Sequence, residues 1–86
     1  MGMDTVELVM AIENEFQISI PNNIAGTLSR LRDLHGFVVQ SLCDRGGQVD
    51  PTEVWNRLKR VVIEFSAVRE ELVVPDAHIV YDLGLD

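Results

Sequence analysis

The side chains that most often carry out chemistry are few in this sequence and far apart. There is one cysteine, Cys43, and there are two histidines, His35 and His78. A single thiol excludes an internal disulfide and a zinc site built from cysteines. The two histidines are too distant in sequence to suggest a shared metal ion, and each favours a surface or half-buried position. We therefore predict no metal site and expect Cys43 to be an ordinary thiol at the end of a helix.

No motif typical of an active site follows from the remaining residues. The pair Gly46-Gly47 lacks the Lys-Ser or Lys-Thr that completes a phosphate-binding loop, so it indicates a flexible linker. No general acid–base pair and no nucleophile with a neighbouring base can be assembled from the other polar side chains. The sequence thus predicts a protein that is not an enzyme.

The size and charge of the chain exclude further classes of function. Its 86 residues are one domain's worth, with 14 acids against 7 bases and a net charge of −7. Nucleic acids and anionic membranes need clustered Lys and Arg, so both are disfavoured, and a partner with a basic patch is expected. No apolar run approaches the roughly 20 residues of a membrane span, and no secretory signal is visible. A cytoplasmic location is the expectation.

Apolar spacing predicts an all-α domain with three main helices, one short helix and a long ordered loop. The first helix is expected over residues 3–16, which contain no Gly or Pro. Val6 and Met10 lie four residues apart and largely off its apolar stripe. That stripe comprises Leu8, Val9, Ile12 and Phe16. The short helix is expected just after Pro21.

The second main helix is expected over residues 27–42, with Thr27 or Ser29 as its N-cap. Gly36 lies inside it and costs about 1 kcal/mol relative to Ala, which predicts that another helix passes close to it. The third begins with Asp50 as its cap and Pro51 in its first position, and runs to about residue 65. Its inward side chains are expected to be Val54, Leu58, Val61, Val62 and Phe65.

Residues 68–86 show no helical pattern, yet they are rich in Leu, Ile and Val, so this loop is expected to lie against the core. The loop ends in the stretch Val-Pro-Asp-Ala-His-Ile-Val-Tyr-Asp-Leu-Gly-Leu-Asp. That stretch resembles loop I of acyl carrier proteins, which ends in Asp-Leu-Gly-x-Asp just before a modified serine. Residues 54–68 are similar to helix I of the same family.

The first half of the chain resembles the other half of that family. Residues 3–16, Met-Asp-Thr-Val-Glu-Leu-Val-Met-Ala-Ile-Glu-Asn-Glu-Phe, closely resemble its helix II. Residues 18–21 look like the loop before helix III, and residues 28–42 look like helix IV. The resemblance implies one carrier-protein-like four-helix bundle in circularly permuted order. Helices II to IV would then occupy residues 1–42, a linker 43–51, and helix I with loop I 52–86.

The permuted order is physically allowed. The eight residues from Cys43 to Asp50 can span roughly 25 Å when extended, which suits a linker that joins the old chain ends. Permutation is tolerated where few contacts cross the cut. If the linker is strained, the second half can pair with another copy, so both a monomer and a domain-swapped dimer are compatible with the sequence.

The family's attachment serine is missing at the expected place. The resemblance implies a 4′-phosphopantetheine arm on a serine directly after Asp86 and before Met3-Asp4. Asp86 is the last residue, and Gly2, which has no hydroxyl, stands where that serine belongs. No Asp-Ser-Leu context surrounds the serines that are present, which are Ser19, Ser29, Ser41 and Ser66. We therefore expect a chain that cannot be primed, either an engineered permutant or a fragment cut at the serine.

Two groups of acids have roles implied by the resemblance. Asp4, Glu7 and Glu13, with Val6 and Met10 between them, would dock onto basic patches of synthases, acyltransferases and phosphopantetheinyl transferases. The alternative is a solvated acidic face, and Asn14 stands where the family frequently has an acid.

Asp82 and Asp86 would either help to hold the arm-transferring enzyme or its metal, or cap the loop and the first helix. Without the serine, the structural role is favoured. His78 is expected to pack beside Ile79 in the loop.

The resemblance implies a carrier that presents thioester-bound acyl intermediates to enzymes of fatty-acid or polyketide-type synthesis. In this chain the arm-bearing serine is absent. The alternative function is a carrier-like interaction module that binds through its acidic helix and never held an arm.

Overall fold

The computed structural model of the chain describes residues 3–79 and 81–84, with the side chains of residues 3–5 and 22 outside that description. Helix α1 spans Met3–Phe16, α2 spans Asn22–Ala25, α3 spans Leu31–Asp44 and α4 spans Pro51–Ser66, and a single 3-10 turn lies at Glu70–Leu72. The predicted all-α fold, with three main helices, one short helix and a long ordered loop, is confirmed. Among the described helices, none is long and apolar enough to cross a bilayer.

One hydrophobic core joins the three long helices, and α1 and α3 both pack against α4. The predicted stripe of α1 is buried in it, from Leu8 to Phe16. Helix α4 contributes Val54, Leu58 and Val62, whereas Val61 and Phe65 are only half-buried. Val61 and Phe65 nevertheless pack against the core from its edge, so the expectation that all five side chains face inward is confirmed.

Local signals determine the start of α4. The Asp50 carboxylate accepts a hydrogen bond from the Thr52 N–H at 3.0 Å, and Pro51 occupies the first turn, where its missing N–H is not needed. Helix α3 is joined to α4 through the ring of His35, whose Nε2 lies 2.8 Å from the Pro51 carbonyl oxygen. The same ring contacts Trp55 edge-on, with 5.6 Å between ring centroids.

Helix α3 begins later than predicted, and neither Thr27 nor Ser29 is its N-cap. The segment before it is extended, with Arg30 at φ −117° and ψ 155°. This conformation is fixed by the last loop, because the Ile79 N–H donates to the Ser29 carbonyl at 2.8 Å and Arg30 pairs with His78 in an antiparallel bridge. A backbone engaged in that bridge cannot also start a helix.

The last loop also caps α3. Carbonyl oxygens of Ala77 and Pro75 accept from the N–H groups of Leu31 and Arg32, at 3.0 and 2.8 Å. The first N–H groups of a helix have no carbonyl partner within it, so the loop supplies the acceptors that these two groups need. The Asp33 carboxylate reaches back to the Arg30 N–H at 3.2 Å. The expectation that the loop lies against the core is confirmed by its buried side chains, which are Val73, Ala77, Ile79 and Leu83.

The C-terminal end of α3 lies at Asp44 rather than at residue 42. The Gln40 amide holds the Asp44 carboxylate at 2.9 Å, and the chain leaves the helix through Gly46, whose φ of +85° suits glycine. The expected close approach at Gly36 is wrong. Among the residues that the structure describes, no atom outside its own helix lies within 4 Å of the position where a Cβ would stand.

Two arginines from other segments close the C-terminal end of α1, which has no base in its own last turn. Arg45, in the linker, donates to the Phe16 carbonyl at 3.0 Å, and Arg57, in α4, donates to the Glu15 carbonyl at 3.1 Å. Arg57 also pairs with the Glu15 carboxylate at 2.9 Å and lies over the Phe16 ring. Positive groups stabilise this end because the last carbonyls of a helix carry partial negative charge.

Candidate docking face

The outer face of α1 carries exposed apolar side chains next to acids. Val6 is 44% exposed and Met10 is 60% exposed, while Leu8 and Ile12 on the opposite side are fully buried. Glu7 is exposed between the two apolar residues. We call Val6, Glu7 and Met10 the α1 face. The side chain of Asp4, which was also expected on this face, lies outside the described residues, as does that of Met3, which was expected beside the missing serine.

Three acids of α1 have described side chains, and they differ in what they contact. Glu15 is held by Arg57, as described above. Glu13 is half-buried, and its Oε2 accepts a hydrogen bond from the Ile20 N–H at 2.7 Å. Glu7 has neither an ion pair nor a side-chain hydrogen bond to any residue that the structure describes. Of the two acids expected to bind partners whose side chains the structure describes, Glu7 and Glu13, Glu7 is therefore the one fully available at the surface.

Glu13 has a structural contact that the sequence did not predict. Its carboxylate and its carbonyl both bind the chain that follows α1, because the Ile18 N–H donates to the Glu13 carbonyl at 3.1 Å. The turn between them passes through Gln17, at φ 55°. Nothing in the spacing of Glu13 and Ile20 signals this contact, since it depends on the path of the turn.

Asp82 lies in a tight turn at the end of the last loop. Its Oδ2 accepts from the His78 N–H at 2.7 Å, and its own N–H donates to the His78 carbonyl at 2.9 Å. The ring of His78 packs on that of Tyr81, 4.3 Å between centroids, and its Nδ1 accepts from the Tyr81 N–H at 3.2 Å. Asp82 thus holds the loop in shape, beside Ala77 and Ile79 in the core.

The remaining predicted positions around the attachment site are Gly2 and Asp86, and both lie outside the described residues. Within the described part, none of the four serines directly follows an aspartate, as the serine of the family motif does. Ser66 Oγ donates to the Val62 carbonyl at 2.6 Å, and Ser41 is half-buried within α3. Ser19 and Ser29 are exposed, but the residues before them are Ile18 and Leu28 rather than the aspartate of the family motif. Across residues 3–79 and 81–84, no group of three His, Cys, Asp or Glu side chains is arranged to hold a metal ion.

Comparisons with known proteins show that the chain is similar in part to acyl carrier proteins, two of which are described here. The chain is 48% identical over 41 residues to an acyl carrier protein of Guillardia theta, which covers 48% of this chain and 51% of that protein. It is 41% identical over 39 residues to an acyl carrier protein of Chloroherpeton thalassium, 45% of this chain and 49% of that protein. The chain spans about half the length of the curated relatives it matches. No protein-family model matches the chain. No solved structure matches it either.

Proposed function

On the premise that this chain is acyl-carrier-protein-like, we propose that it is a carrier-type domain that docks onto carrier-dependent enzymes through the α1 face. The observation that carries the proposal is the exposure of Val6 and Met10 on a helix whose charged side chains are all acidic. Large apolar side chains that remain exposed beside acids suit a partner surface with an apolar centre and a basic rim. The domain is a binding protein and does not itself catalyse a reaction.

Among the α1 acids with described side chains, Glu7 is the most available to such a partner, because Glu13 and Glu15 are engaged within the domain. The proposed contact is therefore centred on Glu7 and Met10, with Val6 beside them. We propose that Asp4 extends it by one helical turn. Partners of this kind are the synthases, acyltransferases and phosphopantetheinyl transferases of fatty-acid or polyketide-type synthesis, and their basic patches would complement a chain of net charge −7.

We further propose that residues 1–86 carry no phosphopantetheine. Gly2 has no hydroxyl, and the four serines are not in the family's motif. A domain of this kind would bind carrier-dependent enzymes without presenting an acyl chain. The alternative function, an interaction module that never held an arm, makes the same contacts. A chain reordered so that a serine follows Asp86 separates the two functions.

The proposed circular permutation is supported by the linker between α3 and α4. This segment places Arg45 on the end of α1 and delivers Asp50 to cap α4, so it is integrated into the domain. Because α1 and α4 pack within one chain, we propose a monomer, which light scattering tests directly. The exposed free thiol of Cys43 suits a reducing, cytoplasmic compartment.

Calorimetric titration onto a promiscuous phosphopantetheinyl transferase with a basic docking patch tests the proposed contact. Glu7→Lys is expected to weaken binding about tenfold, because it replaces an attraction by a repulsion worth about 1.4 kcal/mol. Met10→Ala is expected to weaken it about fivefold through lost apolar contact. Glu64→Lys, the same charge change at an exposed position of α4, is the matched control and is expected to have little effect.

Equal affinity of the Glu7→Lys, Met10→Ala and unmodified proteins would refute docking through the α1 face. A loss that is equally large for Glu64→Lys would show that net charge alone, and not this face, controls binding.

A further inference from the structure

The last loop contains a surface groove that shares no residue with the α1 face. It has a volume of about 320 Å³ and lies against the 3-10 turn at Glu70–Leu72, which contributes part of its lining. We call it the terminal-loop groove. Its lining residues are Glu71, Leu72, Val74, Asp76, Ala77 and Asp82.

Two large apolar side chains of the groove remain in contact with solvent. Leu72 is 47% exposed and Val74 is nearly as exposed, although Val73 between them is buried in the core. Ala77 is buried and adds a third apolar side chain to the lining. Single exposed apolar residues are normal on a protein surface, but two that line one concave site provide a contact area for another molecule.

Three of the lining residues of the groove are acids and none is a base, although the guanidinium groups of Arg30 and Arg32 contact one of these acids from outside the groove. Asp76 is paired with Arg32, with 2.9 Å between the guanidinium and carboxylate atoms. Asp82 uses one carboxylate oxygen to hold the His78 N–H. The Glu71 carboxylate has no ion pair or hydrogen bond to any residue in the described part of the chain. Glu71 is thus available to an incoming positive group.

We propose that the terminal-loop groove is a second docking surface, and that it binds an Arg or Lys side chain from a basic segment of a partner protein. Such a side chain has an aliphatic stem that suits Leu72 and Val74 and a charged head that suits Glu71. The acids disfavour an anionic lipid or a nucleic acid as the occupant. The proposal goes beyond the α1 face, since it rests on different residues.

Nuclear magnetic resonance titration with a short peptide of alternating Leu and Arg tests the proposal on the whole chain. The amide signals of Leu72 and Val74 are expected to shift in proportion to bound peptide. A peptide with citrulline in place of Arg has the same shape without the charge, and it is expected to leave these signals in place. Salt at about 0.5 M is expected to weaken binding, because screening then acts within a few ångströms.

Two substitutions in the groove and one control locate the site. Glu71→Gln and Leu72→Ala are each expected to weaken peptide binding about two- to fivefold, the range of an exposed charge pair or a modest apolar contact. Glu64→Gln, at an exposed position of α4 that belongs to neither surface, is the charge-matched control and is expected to leave the peptide affinity unchanged.

Three results would overturn the proposal: unchanged affinity in both groove variants, shifts confined to α1, or the same shifts with magnesium chloride alone. Failure of the α1 face is a separate result, because it is measured by Met10→Ala with an enzyme partner, whereas failure of the groove is measured by Leu72→Ala with the peptide.

Discussion

Val73 and Val74 are adjacent residues of the same type, and the structure predicts very different costs for shortening them. Val73 is 2% exposed and Val74 is 44% exposed. Replacing each in turn by Ala removes the same atoms from the same loop. Any difference between the two variants therefore measures how the loop packs, and not a change in side-chain chemistry.

The expected magnitudes follow from the burial. Truncating Val to Ala removes two carbon atoms, worth about 1.6 kcal/mol when fully buried at about 0.8 kcal/mol each. At Val73 the enclosed space left behind adds to this, so the loss is about 2–3 kcal/mol. At Val74 only a little more than half of the side-chain area is buried, and solvent fills the space left by the two carbon atoms. The loss of stability is therefore about 1 kcal/mol or less.

Such a loss at Val73 is large for this domain. A chain of 86 residues is stable by about 4–13 kcal/mol. The midpoint of thermal unfolding is expected to fall by about 10–20 °C for Val73→Ala and by no more than about 6 °C for Val74→Ala. Far-ultraviolet circular dichroism follows the melting of the helices, and urea unfolding gives the free energies directly.

Equal losses of stability in the two variants, or a loss below about 1 kcal/mol for Val73→Ala, would refute the packing of Val73 in the core. Either result would mean that residues 68–84 are not part of the core. The loop would then not hold the start of α3, and the account of why that helix begins at Leu31 would fail with it.

Substitutions at Gly36, Arg57 and Asp50, with controls for the last two, test three further local features by urea unfolding. Gly36→Ala is expected to add about 1 kcal/mol of stability, because the site is helical and has open space; a loss would indicate a contact that the structure lacks. Arg57→Gln is expected to cost about 1 kcal/mol through the end of α1, whereas Arg60→Gln on the same helix is expected to cost almost nothing; equal costs would contradict the Arg57 contacts. Asp50→Ala is expected to cost about 1 kcal/mol and Asp50→Asn only a few tenths, and a neutral Asp50→Ala would rule out the cap.

The helices that could be predicted from the sequence are those whose signals are local. Helix α1 has an uninterrupted apolar period, and α4 begins with Asp50 and Pro51 beside each other, so both were placed closely. The start of α3 was not, because its determinants lie more than 40 residues further along the chain, in the carbonyl oxygens of Pro75 and Ala77. A capping rule that considers only neighbouring residues selects Thr27 or Ser29 and misses Arg30.

The candidate sites show the same division. The exposure of Val6 and Met10 follows from helical geometry and was predicted. The role of Glu13 was not, since it depends on the turn that brings Ile20 back to α1. In the last loop the total apolar content correctly indicated burial. Without a helical or strand period, however, the sequence had no means of separating the buried Val73 from its exposed neighbours, which line the terminal-loop groove.

The proposal that this chain is a permuted carrier domain is tested most directly by intact-protein mass spectrometry of a chain whose two halves are exchanged. In the reordered chain, residues 50–86 precede residues 2–45 and Gly2 is replaced by serine, so that the contacts of Asp50 and Arg45 are kept and Asp86 is followed by Ser-Met-Asp. After incubation with coenzyme A and a promiscuous phosphopantetheinyl transferase, the account predicts a mass gain of one phosphopantetheine on that serine, and none on the original chain. A reordered chain that is helical by circular dichroism and gains no mass, or a gain on the original chain, would contradict it.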